Sequence, residues 1–210
     1  MNENALRERI AMHGESMFNR GLTAGSSGNI SVRTDDGLLI TPTNSSLGRL
    51  DPARISKVDA TGQHVAGDKP SKEAFLHLAM YEQRPTTEAV VHLHSTHAVA
   101  VSCLADVSAE NVLPPLTAYY VMRVGRLPLV PYYRPGDERL AEAVRDVARD
   151  HGAMLLANHG PTVAGSNLDA AVYAMEELEE TAKLYLMLKD ERTRPLTSEQ
   201  VREINEHFPT

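Results

Sequence analysis

The sequence predicts one α/β domain, residues 1–210, built on a mixed, largely antiparallel sheet covered by helices. Three observations carry that prediction. Hairpin-like strand pairs alternate with amphipathic helical stretches along the chain. The run Ala89-Val90-Val91-His92-Leu93 has the apolar, β-branched character of a buried strand. At 210 residues, 42% hydrophobic and 23% charged, the chain supports one good-sized core and does not demand a second.

Leu6, Ile10, Met17 and Phe18 recur at roughly helical spacing, and Gly21 suits the position just past a helix end. Asn29 to Arg33 and Leu38 to Thr41 read as strands around the turn Asp35-Asp36-Gly37. A second hairpin spans Ile55 to Val65. Ser71 is a good helix N-cap, and Phe75, Leu76, Leu78, Ala79 and Tyr81 give the helix after it an apolar face, with His77 expected on its outer surface. The histidine strand and a helix from His97 to Leu104 follow.

Residues 112–136, punctuated by Pro114, Pro115, Pro128, Pro131 and Pro135, read as short strands and ordered loops. Asp137 to Asp150 has helical periodicity, and Ala153 to Ala157 is a short apolar strand. Asn158-His159-Gly160-Pro161 makes a tight turn into a strand from Thr162 to Ala164. Asn167 caps a long amphipathic helix to Lys189, and a last helix lies near Ser198 to Glu206.

A formal charge of −7 argues against a nucleic-acid or anionic-membrane surface, so an anionic substrate needs a local positive site. The sole cysteine, Cys103, has no internal disulfide partner, and its apolar neighbours Val99, Val101 and Leu104 point to a buried thiol. The first residues lack the apolar core of a secretion signal, and no apolar run approaches membrane-spanning length. The expectation is a soluble, cytoplasmic protein.

The chemistry concentrates in His92-Leu93-His94. Alternation along a strand sends residues i and i+2 to one side, as two ligands of one metal ion require. A bare His-x-His is equally well a pair of histidines bonded to neighbours, so its company matters. Catalytic zinc keeps three protein ligands and one open position, and His159, at a strand end beside Gly160, is the natural third. His97 fits a helix N-terminal or supporting role. Glu73 opens the Ser71 helix, where a carboxylate complements the helix dipole; beside a metal it acts instead as general base or displaced ligand. The turns Ser26-Ser27-Gly28-Asn29-Ile30-Ser31 and Thr41-Pro42-Thr43-Asn44, with the Ser71 helix start, have the small, hydroxyl-rich character of an anion nest or of ordinary turns.

Taken in order, Ser27-Gly28-Asn29-Ile30-Ser31, Thr41-Pro42-Thr43, Lys69-Pro70-Ser71-Lys72-Glu73, His92-Leu93-His94 and Asn158-His159-Gly160 resemble the class II aldolase family, which includes fuculose-phosphate aldolase and ribulose-phosphate 4-epimerase. The resemblance covers nearly the whole chain. It implies a three-layer α/β/α sandwich, with one Zn2+ (or another divalent transition metal) per subunit on His92, His94 and His159, and Glu73 as acid/base. It further implies phosphate binding by Gly28, Asn29, Thr43, Asn44, Ser71 and Lys72, and a homotetramer with active sites at subunit interfaces. The proton donor, supplied by an adjacent subunit, maps to Tyr119 by its distance from Gly125, with Tyr120 as competitor.

The family's aldolases usually carry Ser-Ser-Glu where this chain has Ser71-Lys72-Glu73, and glycine where it has Asn44. Along with Ser45-Ser46-Leu47-Gly48-Arg49 and Tyr132-Tyr133-Arg134-Pro135-Gly136-Asp137, these departures look like the 3-oxo-tetronate 4-phosphate decarboxylase subgroup. The activity so implied releases carbon dioxide from a phosphorylated sugar acid and leaves dihydroxyacetone phosphate, through an enediolate. A sugar-phosphate aldolase or epimerase is the alternative, and a non-catalytic module like the adducin head domain is a remote one.

Overall fold

A computed structural model describes residues 2–134 and 137–208. Its strands are β1 (Asn29–Thr34), β2 (Gly37–Ile40), β3 (Ser56–Asp59), β4 (His64–Ala66), β5 (Ala89–His92), β6 (Leu129–Val130), β7 (Ala153–Leu156) and β8 (Gly160–Gly165). Its helices are α1 (Glu3–Asn19), α2 (Ala74–Gln83), α3 (Thr96–Ser102), α4 (Ala118–Arg123), α5 (Glu138–Ala148), α6 (Leu168–Leu188) and α7 (Ser198–His207). The strands form one sheet in the order β4-β3-β2-β1-β5-β8-β7-β6. Every pairing is antiparallel except β6 with β7, so the sheet is mixed and largely antiparallel as predicted.

Alternation along the strands sorts the core onto two faces. Val32, Leu39, Val91, Leu155 and Val163 pack on one face with Ile10 and Met17 of α1, Val101 of α3, Tyr120 of α4 and Met175 and Leu178 of α6. Leu38, Ile40, Val58, Val90, Met154 and Leu156 pack on the other with Leu76 and Met80 of α2 and Leu140 and Val144 of α5. Helices therefore cover both faces, giving three layers. Each fully buried aliphatic side chain contributes about 1.5–3 kcal/mol.

Several local expectations are corrected. The strand β5 stops at His92, so alternation does not place His94, which lies in the segment leading to α3. Helix α2 starts at Ala74 with Glu73 in the capping position; Ser71 helps from further out, its Oγ accepting from the Glu73 N–H at 3.2 Å. The proline-punctuated stretch holds a helix, α4, capped by the Thr117 side chain. Cys103 is exposed, because it ends α3 on the side away from the core that Val101 enters. His77 is fully buried rather than on a helix surface. Pro135, Gly136, Pro209 and Thr210 lie outside the described residues.

Helix α3, which follows His94 directly, has no capping bond from its own N-cap residue Ser95. Glu179 of α6 does the work from across the fold. Its two carboxylate oxygens accept from the backbone N–H groups of His97 and Ala98, each at 2.9 Å, and Oε1 also contacts His97 Nδ1 at 2.8 Å. His97 is thus engaged by Glu179 and is not in the group that His92, His94 and His159 form with Glu73. Replacing Glu179 with alanine leaves two helix-end donors without partners and lowers the unfolding free energy by about 1–3 kcal/mol, measured by urea titration.

Candidate metal centre

The site forms where three antiparallel strands end together. In the sheet register Asn29 of β1 lies opposite His92 of β5, and His92 lies opposite Thr162 of β8. Residues in one such row share a face, the face that α2 covers. The turn from β7 to β8 brings His159 to the same place. It does so only because residue 160 is glycine: a Cβ there would sit 2.2 Å from the Leu93 carbonyl oxygen and 3.3 Å from His94 Cα. Asn158, at φ 55°, makes the preceding left-handed bend, which asparagine tolerates.

One nitrogen from each of His92, His94 and His159 and one oxygen from Glu73 lie within 4.8 Å of one another. The Nε2 atoms of His92 and His94 are 3.2 Å apart. Glu73 Oε1 is 3.0 Å from His159 Nε2, and Oε2 is 3.6 Å from His92 Nε2. His92 directs Nδ1 at the Pro161 carbonyl, 2.9 Å away, and at Thr162 Oγ1, 3.1 Å away. A carbonyl only accepts, so Nδ1 carries the proton and the lone pair on Nε2 faces the cluster.

Electrostatics keep these groups in ligand form. Burial pushes the His92 imidazole down to about 3 against the attraction of Glu73, and the neighbouring His159 and His94 push the same way. Burial also lowers His94, with His159 adding to it. For Glu73, burial works to raise the carboxyl; attraction to His92 and hydrogen bonds from His159 and Asn29 outweigh it, so the carboxylate lies well below its ordinary range. The site therefore holds two neutral imidazoles, His92 and His94, and an ionised carboxylate at neutral pH.

That donor set fits a divalent transition metal. Nitrogen and oxygen ligands about 2.1 Å from one ion stand about 3.4 Å from each other in a tetrahedral arrangement. The contacts of 3.0, 3.2 and 3.6 Å match that spacing. Imidazole suits zinc and several neighbouring metals, so the donors do not select zinc by themselves.

A cavity of about 330 Å³ opens beside the cluster. Its walls include His94, His159 and Glu73, the loop residues Ser26 to Asn29, Pro42 to Asn44, and Ser71 and Lys72, together with Phe75, Tyr133 and Leu140. Every residue expected at a phosphate thus lines this cavity. A short bridge between Pro42 and Pro70 joins two of these loops, and the Thr43 N–H donates to the Lys69 carbonyl at 2.9 Å. Gly28 and Asn44 both have positive φ, 79° and 57°. At Gly28 a Cβ would also meet Leu93 Cδ2 at 2.9 Å. Asn29 is engaged at both ends of its amide, donating from Nδ2 to Glu73 Oε2 at 2.7 Å and accepting on Oδ1 from His77 Nε2 at 2.5 Å. Its side chain keeps at most one amide hydrogen for a ligand.

The two tyrosines are separated clearly. Tyr119 is 60% exposed on α4 and lies outside this cavity, lining a surface groove with Arg123 and Tyr173. Tyr120 is 1% exposed, and its hydroxyl has no hydrogen-bond partner among the described residues. Neither reaches the histidine cluster of its own chain. Sequence reasoning missed His77, whose signal was available: His77 and Tyr81 are one helical turn apart on α2, facing Asn29 and Ser31, two apart on β1.

Comparison with known proteins agrees with this geometry. A 3-oxo-tetronate 4-phosphate decarboxylase from Escherichia coli K12 is 53% identical over 203 residues, covering 96% of each chain. The crystal structure of YgbL from Escherichia coli superposes with a TM-score of 0.94 at 51% identity, over 96% of this chain and 98% of that one. A solved L-fuculose 1-phosphate aldolase superposes with a TM-score of 0.88 at 27% identity, covering 97% and 96%. The family model described as Class II Aldolase and Adducin N-terminal domain matches residues 8–186, and the chain belongs to that family.

Proposed function

We propose that this chain is a metal-dependent carbon–carbon lyase that decarboxylates a 3-oxo-tetronate 4-phosphate to dihydroxyacetone phosphate and carbon dioxide. The observation that carries the reading is the pairing of the His92–His94–His159–Glu73 cluster with one loop-lined cavity, in a chain 53% identical to a decarboxylase of that name. His92, His94 and His159 hold the metal, zinc by preference. When bound, the metal supplies Lewis-acid stabilisation of negative charge developing on the substrate's keto and hydroxyl oxygens.

The chain's own groups do the rest. Backbone N–H groups near Gly28 and Asn44, with the side chains of Thr43, Ser71 and Lys72, grip the 4-phosphate and fix the carbon chain across the cavity. The C1–C2 bond breaks, carbon dioxide leaves, and the bonding pair moves into a C2–C3 enediolate. A proton then adds to C2. Glu73 enters ionised, so it acts as base and hydrogen-bond acceptor and is not the first proton donor. Tyr119 of an adjacent copy donates instead, because it is exposed and absent from its own chain's cavity. This reading requires an oligomer, a homotetramer in our proposal. We place the enzyme in the cytoplasm; among the described residues no helix is long and apolar enough to cross a membrane.

A second reading, a sugar-phosphate aldolase, is favoured by the L-fuculose 1-phosphate aldolase fold at a TM-score of 0.88. Cleavage to an aldehyde and decarboxylation pass through the same kind of enediolate. Incubating zinc-loaded protein with both 3-oxo-tetronate 4-phosphates and with L-fuculose 1-phosphate separates them. Carbon dioxide from a tetronate is expected, lost on chelation; aldehyde without carbon dioxide rejects the proposal. In the same assay Glu73→Gln lowers kcat by about 10²–10⁴-fold, the range of a lost acid–base group.

Lys72 sits where a charge helps bind phosphate but gains nothing from a carboxylate that is leaving. Lys72→Ser is expected to raise KM about tenfold or more, the loss of one charge-assisted hydrogen bond, with kcat little changed. The shared site has its own test. Tyr119→Phe and Glu73→Gln are each nearly inactive alone, yet mixing them in one assembly creates some intact sites. Recovered activity in co-expressed hybrids is expected, and none is recovered if Tyr119 acts within its own chain.

A further inference from the structure

A continuous file of buried polar groups runs from the last turn of α2 to Glu73. The Tyr81 hydroxyl is 2.9 Å from Ser31 Oγ, and Ser31 Oγ is 2.6 Å from His77 Nδ1. His77 Nε2 is 2.5 Å from Asn29 Oδ1, and Asn29 Nδ2 is 2.7 Å from Glu73 Oε2. Asn29, Ser31 and His77 are 3%, 0% and 0% exposed, and Tyr81 is 6% exposed. At the far end Arg33 lies over the Tyr81 ring at 4.7 Å and donates to its carbonyl, pinning the file where it begins.

The direction of every bond follows from one charge. An ionised carboxylate only accepts, so the Asn29 atom beside Glu73 is the amide nitrogen. That turns Oδ1 toward His77, and Nε2 must carry the ring's proton. A neutral ring then has a bare Nδ1, which takes the Ser31 hydroxyl hydrogen, and Ser31 in turn accepts from Tyr81. Burial, which drives the His77 ring down to about 4, keeps it neutral as this requires.

Resting on the proposed function, we infer that His77 is a positioning residue: as the Nε2–H tautomer, with Ser31 donating to its Nδ1, it locks the Asn29 amide so that Glu73 is held by Oε2 while Oε1 lies against His159 at the cluster. Without the His77 donor, Asn29 keeps only its bond to Glu73 Oε2; its buried Oδ1 loses its partner, and the side chain is no longer held at both ends. An apolar replacement would satisfy packing alone. The polar file therefore does more than fill the core: it ends on Glu73.

Two readouts test this. The first needs neither metal nor substrate. In the ¹⁵N-histidine spectrum of the metal-free protein at pH 7, the resonance lost in His77→Gln is expected to show a protonated Nε2 and a bare Nδ1. A charged ring or the Nδ1–H tautomer overturns the inference, whatever the enzyme's substrate proves to be. The second is kinetic. His77→Phe keeps metal and fold but lowers kcat at least tenfold, with KM within about twofold, while His77→Gln, which offers one donor and one acceptor, recovers most of kcat. Parental kcat in His77→Phe, or equal loss in folded, metal-loaded His77→Gln, overturns it. If His77→Phe does not fold, Ser31→Ala replaces it, with a several-fold loss of kcat expected and an unchanged kcat counting against the inference. Absence of carbon dioxide release from the parent protein defeats the functional proposal alone and leaves the spectroscopic result standing.

Discussion

The Glu73 carboxylate is the charge around which the site is organised. A carboxylate withdrawn from water is costly unless partners replace its solvation. Here Asn29 donates to one oxygen, His159 lies against the other, and His92 stands close by. Those partners come from β1, the β7–β8 turn and the end of β5, so satisfying one charge draws three separate stretches of backbone to a point. The same point is where imidazole lone pairs converge, and the two requirements are met by one geometry.

The sheet supplies the rigidity that this geometry needs. Asn29, His92 and Thr162 stand in one row across β1, β5 and β8, and ladder hydrogen bonds fix their spacing. His92 is further held through Nδ1 by Pro161 and Thr162. The less regular parts, His94 and His159, lie just beyond strand ends and are placed by contact: Gly160 lets the turn reach Leu93, and Glu179 anchors α3 after His94. The cavity-lining loops hang from this frame, and the segment leading into α2 joins them to the cluster, with Ser71 and Lys72 at the cavity and Glu73 at the imidazoles.

Much of the fold was legible because its elements have strong local signals. The two hairpins, the helix stop at Gly21 and the long helix capped by Asn167 all follow from turn chemistry and periodicity. Helix α4 was hidden by the prolines around it, though Thr117 marks its start. Cys103 misled because apolar neighbours in sequence do not share a face on a helix, and its own position looks outward. His77 was obscure for the opposite reason. A polar residue within an apolar helix reads as surface until its partners on another element are known.

The sequence alone determined the residue types of the candidate metal site, their order, the turn chemistry of the loops and the alternation that builds a two-faced sheet, because each depends on neighbours in the chain. Only tertiary structure decided which histidines meet, which oxygen of Glu73 is anchored, which tyrosine is exposed and what occupies Asn29. Those depend on strand register and on how closely backbones approach, and both are set by contacts between residues far apart in sequence.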